Sequence, residues 1–317
     1  RNLRMNVFYI PALLLILFFV LWPLIEAFRI SFTQWNGYSQ DYKYIGLKNY
    51  LKLFKDSNFL IAFRNTIIYG FGSTLLQNLL GLAYAVFLNS RFKGHSVVRT
   101  FIYMPVMISS LIMGYIIYFF VQYNRGIFNE MIGIFGMAPI DWMASGTRGV
   151  IIITLMNSWQ YVGIAMVIYM AGLQNIPQMY LEAAEIDGAS VMKVFMKIML
   201  PLAKPIMATI AIFAAVGQWN SFQDTLILMT KPALYTLQFL LYQYINQASS
   251  LAAMIKNGTV ISTSSLATMQ TPTSIRMTVS VVVILPILLV YPFFQKYFVK
   301  GIMIGSCLLY TSDAADD

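Results

Sequence analysis

Charge, cysteine and histidine are all scarce in this chain of 317 residues, and each shortage excludes a class of function. A single cysteine, Cys307, permits no internal disulfide, and a single histidine, His95, permits no histidine-based metal cage. The dipeptide Gly-Lys never occurs, so there is no phosphate-cradling G-x₄-G-K-[ST] loop, and nucleotide chemistry must belong to another polypeptide. Charged side chains are 10% of the total, where soluble domains carry about 25%. What fills the gap is apolar: 59% of residues are hydrophobic, more than a water-soluble fold of this length can hide. The net charge of +9 lies mostly between apolar runs rather than along one face, which suits anionic lipid and not nucleic acid.

Six runs free of charge, 5–25, 65–90, 100–124, 149–181, 205–223 and 277–295, can each supply the roughly 20 residues needed to cross hydrocarbon. Lipid offers backbone groups no partners, so each must be helical. The sequence predicts an all-α polytopic membrane protein with six transmembrane helices at about 7–28, 66–90, 100–122, 149–173, 205–228 and 277–297. A polar, charged connection runs over 174–204. A seventh uncharged run, 232–255, carries Gln238, Gln243, Asn246 and Gln247 and reads as an outer amphipathic segment. Leu47, Tyr50, Leu51 and Phe54 fall at helical spacing with Lys48, Lys52 and Lys55 off the stripe, predicting a short surface helix. The polar run 257–275 reads as an outer loop, and its Asn257-Gly-Thr259 acceptor match is assigned no role. With the N-terminus inside, basic residues are denser on the inner segments. The first span lacks a small-residue cleavage site and is expected to stay on the chain. Residues 306–317 end acidic and are expected to be a non-native tail.

The connection between the fourth and fifth spans reads Glu182-Ala183-Ala184-Glu185-Ile186-Asp187-Gly188 and continues to Ile198-Met199-Leu200-Pro201. Residues 178–187 are mostly good helix formers, and Ala183 and Ala184 leave room for another surface to approach. Asp187-Gly188 supplies a stop, because glycine tolerates the left-handed turn that ends a helix. A second helix is expected from a cap at Ser190 to about Met199, with Val191, Val194, Phe195 and Ile198 as its apolar stripe. Pro201 and Pro205 are expected to break the chain before the fifth span. The reading is two short helices joined by a bend.

The spacing E-A-A-x₃-G-x₉-I-x-L-P, carried by Glu182, Ala183, Ala184, Gly188, Ile198, Leu200 and Pro201, resembles the coupling signature of bacterial ABC importer permeases. At residue frequencies of roughly 5–9% each, seven such positions recur by chance in about one chain in a million. Weaker likenesses lie in Ser31–Gly37, Gly46–Tyr50, Arg64–Thr66, Leu173–Pro177 and Tyr297–Gly305. Together they resemble the permeases of carbohydrate-uptake importers, the maltose and glycerol-3-phosphate group. The first four spans resemble the first permease of such systems, whereas Gln218–Phe222 and the C-terminal stretch resemble the second. The resemblance implies residence in the bacterial inner (cytoplasmic) membrane with both termini cytoplasmic. It implies a second homologous permease, two cytoplasmic ABC ATPase subunits that bind ATP and Mg, and an extracellular solute-binding lipoprotein as partners. The chain itself would then hold no cofactor and catalyse no reaction. Within the signature, Glu182 would contact a basic residue of the ATPase, Ala183 and Ala184 would give close contact, and Asp187 and Gly188 would shape the bend.

A sugar pathway needs amides, hydroxyls and aromatic faces inside the bundle. Two clusters qualify: Asn157, Trp159, Gln160 and Tyr161 in the fourth span, and Gln218, Trp219, Asn220 and Ser221, with Gln223, in the fifth. Helix–helix hydrogen bonding and aromatic packing would place the same residues equally well. Asp224 and Glu26 are expected to be interfacial anchors near span ends. A secondary transporter, the rival transport reading, would be expected to carry ion-coupling charges within its spans. A membrane-embedded enzyme would need a His, Asp or Glu constellation there. Oligosaccharide or glycoside is the expected cargo, with a glycerol-phosphate-type solute as the alternative.

Overall fold

The computed structural model describes residues 2–37, 43–89, 93–174, 176–229, 231–256 and 273–307. The 257–272 part of the polar run, with its acceptor match, and residues 308–317 of the acidic tail lie outside them. In chain order the elements are α1 (Asn2–Ile16), a π-helical turn (Leu17–Leu21), α2 (Trp22–Ser31), β1 (Thr33–Gln34), β2 (Lys43–Tyr44) and α3 (Lys48–Leu53). Then come α4 (Ser57–Asn89), α5 (His95–Tyr103), α6 (Ser110–Val121), α7 (Ile127–Ile134), α8 (Gly146–Gln174), α9 (Gln178–Ile186) and α10 (Val191–Val194). Last are α11 (Leu200–Asn220), α12 (Gln223–Leu228), α13 (Leu237–Lys256) and α14 (Thr273–Cys307). Among the described residues, five continuous helices are long and apolar enough to cross a membrane, and a bent pair makes a sixth if counted as one span.

Two compact units divide the chain, one from residues 1–61 and 237–288, the other from 62–236 and 289–317. In the first, β1 and β2 pair antiparallel, with Thr33 opposite Tyr44. The Asn49 amide donates to the carbonyl oxygens of Ser31 and Thr33, each at 2.8 Å. That pair of bonds turns Asn49 and Leu53 inward and leaves Leu47, Leu51 and Phe54 exposed, so the apolar stripe of α3 is not buried within the chain and is open to lipid. The start of α14 is pinned to the same hairpin: Thr273 Oγ1 donates to Asn36 O at 3.0 Å and Ser274 N to Trp35 O at 3.1 Å. Gly37 is required there, since its φ is +98° and a Cβ would collide with Thr273 Oγ1. The span-length helix Tyr9–Ser31 presents wholly unburied apolar surface, which needs lipid or a protein partner to cover it.

In the second unit two apolar clusters hold the bundle. One gathers Tyr69, Met113, Ile117, Val150, Ile153 and Leu234. The other gathers Leu82, Ala85, Ala165, Met166, Tyr169 and Ile210. Helix α8 is the central post, with 56% of its most apolar window buried. Gly81 of α4 lies against it so closely that a Cβ would sit 2.6 Å from that of Ala165, the small-residue contact that lets membrane helices approach. A buried asparagine, Asn129, organises the connection between α6 and α8. Its amide donates to Tyr123 O and Ile140 O, while its oxygen accepts from Ile140 N and Trp142 Nε1.

Two expected spans have a different form. The third, expected over 100–122, is two limbs, His95–Met107 and Ser110–Val121, bent by 102°. Pro105 sits in the tight turn Met104–Met107, Ile108 is extended, and the Ser109 hydroxyl caps α6 through Ile112 N, so chain chemistry ends one limb and starts the next. The fifth, expected over 205–228 after a proline break, starts earlier and ends sooner. Helix runs without interruption from Met192 to Asn220, through both prolines. A π-helical turn at Phe195–Met199 widens the helix just before Pro201, and such bulges relieve the strict i→i−4 ladder that proline disrupts. The helix then stops at extended Ser221, and Gln223–Leu228 forms the separate α12.

Candidate functional sites: an exposed elbow and a polar cavity

Both sites lie within the second unit. The first is the turn between α9 and α10. Helix α9 ends in a two-bond cap: Asp187 N donates to Ala183 O at 3.0 Å and Ala189 N to Ala184 O at 2.9 Å. The latter is the six-to-one bond of a Schellman motif, which requires a left-handed residue at position 188; Gly188 has φ +67°. The spacing from Ala184 to Gly188 is therefore the spacing of a helix stop. Glu182, Ala183, Asp187 and Gly188 are exposed, and Ala184 is buried. Ile198 and Leu200 are half-buried and Pro201 is exposed. Val194, Phe195 and Ile198 face inward and Lys193 and Lys197 outward, in line with the apolar stripe. On the same helix, three residues before and four after Glu182, stand two exposed apolar side chains, Met179 and Ile186, the latter 86% exposed. The elbow is joined to α8 by a short link and to α11 by unbroken helix.

The second site is a cavity of about 360 Å³ between α4, α8 and α11. Five of the eight expected pathway residues line it: Asn157, Tyr161, Gln218, Asn220 and Ser221. Three do not. Trp159 is 46% exposed on another face of α8, lining a separate cleft with Tyr84 and Phe101. Gln160 is buried and donates to Ile108 O at 3.4 Å, bracing the bend of the third span. Trp219 packs edge-on against Phe63. On a helix, neighbours in sequence point about 100° apart, so a run of four polar residues cannot all face one cavity. The wall also uses Gln77, Phe213, Phe222 and Gln223. Gln77 was legible only as a polar residue inside the apolar run 65–90.

Behind this wall lies a buried network. Asp224 is 7% exposed, so the expected interfacial anchor is instead an interior carboxyl. Its Oδ2 accepts from Tyr69 OH and from Asn157 Nδ2, the latter at 3.0 Å. Asn157 Oδ1 in turn accepts from Gln77 Nε2 at 3.4 Å. Asp224 belongs to α12, which the break at Ser221 turns inward; a continuous helix would carry it elsewhere. Glu26 does behave as a surface group, paired with Arg29 at 2.8 Å.

Residues 77–304 match the family described as the binding-protein-dependent transport system inner membrane component. The chain belongs to this family. Among relatives, the permease is 30% identical over 219 residues to the trehalose/maltose transport system permease protein MalF of Thermococcus litoralis, covering 69% of this chain and 74% of that protein. It is 31% identical over 223 residues to the arabinooligosaccharides transport system permease protein AraP of Bacillus subtilis, covering 70% of each. Its fold resembles a chain of a bacterial ABC transporter involved in import of the acidic polysaccharide alginate, with a TM-score of 0.72 at 20% identity over 93% and 95% of the two chains. A second alginate transporter structure, in complex with an alginate pentasaccharide-bound periplasmic protein, gives 0.70 at 19% identity over 93% of each chain. The family match takes in the permease's α8–α12 segment, and with it both sites.

Proposed function

We propose that this permease forms half of the carbohydrate pathway of an ATP-driven importer, with the 182–188 elbow as the handle on which a separate ATPase acts. The observation that carries this reading is the elbow itself: an exposed acid flanked on its helix by exposed Met179 and Ile186, ended by a fixed glycine cap and followed by helix that continues into α11, whose other end lines a polar cavity. Movement of such an elbow is transmitted along α11 because an unbroken helix is stiff on this length scale, about 40 Å over Met192–Asn220. Energy enters as a difference in ATPase affinity between two arrangements of the bundle. The names of the relatives support an oligosaccharide or glycoside as cargo. In this reading two ABC ATPases bind ATP and Mg on the cytoplasmic side, a second permease closes the pathway, and an extracellular binding protein delivers the sugar. Both chain termini are cytoplasmic.

The test is Glu182→Lys in the co-purified complex reconstituted in proteoliposomes. The variant is expected to insert normally and to lose sugar uptake, with ATP hydrolysis released from control by substrate. Undiminished uptake by this variant overturns the coupling role.

A further inference from the structure

The bend of the third span leaves a cleft open beside α8. The limb His95–Met107 touches α8 where Gly163 has no side chain: a Cβ there would stand 2.9 Å from Ile102 O and from Tyr103 Cα. One turn further along α8, Val167 forms one wall of a cleft of about 320 Å³, and the limb's Arg99, Thr100, Tyr103, Met104 and Met107 form the other. Arg99, Tyr103 and Met107 follow at intervals of four, which places them on one face. That face is graded over about 12 Å of helical rise, from a cation through a phenol to methionines at the bend. Arg99 is exposed and, among the described residues, enters no ion pair. Thr100 donates its hydroxyl proton to Ser96 O at 3.0 Å, which leaves Arg99 and Tyr103 as the side-chain donors of the cleft. Met107 is 78% exposed and needs an apolar cover.

The depth of the cleft follows from its neighbours. Ile108, at the bend, meets Gln160 halfway along α8. Val98 and Ile102 of the limb pack on the cluster that also takes in Leu173, Phe195 and Met199, next to the elbow. The methionine end therefore lies near the middle of the span and the Arg99 end toward the elbow side. We propose that this cleft binds an anionic phospholipid of the leaflet on that side. Arg99 holds the phosphodiester with Tyr103 OH beside it, and an acyl chain lies along Met104, Met107 and Val167. An arginine below the surface reaches the headgroup level while its stem covers apolar wall. Methionine suits the chain, because a flexible thioether adapts to a mobile partner. Net charge selects the headgroup, since the cation of a zwitterionic lipid offsets the attraction; Lys93, exposed just before the limb, adds to it. The bound lipid braces the bent limb against α8. This site is separate from the polar cavity and does not depend on the nature of the cargo.

The test is photo-crosslinking in the purified transporter complex, reconstituted in phosphatidylcholine vesicles. A trace of diazirine-tailed phosphatidylglycerol or, in parallel, of diazirine-tailed phosphatidylcholine is included, and adducts are located by peptide mass spectrometry. The wild type is expected to carry adducts on Met104, Met107 and Val167. Phosphatidylglycerol should exceed phosphatidylcholine there by about fivefold, the effect of one cation at an anionic membrane surface. Arg99→Gln should bring the two lipids level, and Arg99→Lys should keep most of the excess. If the glutamine variant fails to assemble, the wild-type ratio still decides. Equal labelling by both lipids in the wild type, or an excess unmoved by Arg99→Gln, overturns the proposal. So does the absence of adducts at these residues from either lipid, which would mean that a protein covers the cleft. Loss of the phosphatidylglycerol excess on adding soluble glycerol phosphate would assign the cation to a free anion and overturn the lipid site.

Discussion

Replacing Gly188 with residues of increasing stiffness should weaken the elbow in steps without touching any other part of this chain. Its φ is +67°, and a Cβ there would meet nothing of this chain within 4 Å, so the penalty within the chain is conformational. Alanine in the left-handed region costs about 1–2 kcal/mol, asparagine less because it tolerates that region, and β-branched valine more. If the strain is relieved by opening the cap, the bonds from Asp187 N to Ala183 O and from Ala189 N to Ala184 O are lost with it. A difference of 1–2 kcal/mol lowers the ratio of formed to opened elbow by about 5–30-fold. The assay is ATP hydrolysed per sugar transported in proteoliposomes, alongside thermal stability in detergent. Uptake efficiency should fall in the order Gly, Asn, Ala, Val, while the melting temperature of the bundle moves little, because the turn is exposed and local. Equal coupling in all four proteins would refute the idea that the cap geometry itself transmits force.

Asn157→Leu should remove one of two donors to the buried Asp224 oxygen and lower stability by about 2–3 kcal/mol, read as an earlier thermal transition with weaker sugar binding. Gly81→Val should force α4 away from α8 at Ala165 and reduce stability by about 3 kcal/mol, measured by thermal unfolding in detergent; an unchanged transition would contradict the close helix contact. In a background with Cys307→Ser, Asp187→Cys should react with a membrane-impermeant maleimide only from the cytoplasmic side of oriented vesicles. Labelling from the opposite side would invert the topology and remove the ATPase-handle reading.

Much of the elbow was legible in the chain because helix stops are local chemistry. The spacing from Ala184 to Gly188 follows from one cap, and the stripe Val194, Phe195 and Ile198 follows from helical periodicity. The prolines misled. Pro201 and Pro205 signal a break by the usual rule, yet the π-helical turn before them carries the helix through. The cavity was half legible: polar residues inside apolar runs marked α8 and α11, but not which of Asn157, Trp159, Gln160 and Tyr161 turn toward the space. The rotation of α8 decides that, and packing against its neighbours sets the rotation.

By itself, then, the sequence determined that the chain is helical and membrane-embedded, and where its exposed turn lies. Charge-free length, backbone satisfaction in lipid and cap chemistry are properties of neighbouring residues. Only the tertiary structure decided that the third span bends by 102°, that the fifth ends at Ser221, and that Asp224 is an interior group. Tyr69 and Asp224 are 155 positions apart, and Asn157 and Asp224 are 67. A hydrogen bond between groups so distant leaves no trace in local pattern; it exists because helices that pack side by side bring them within reach.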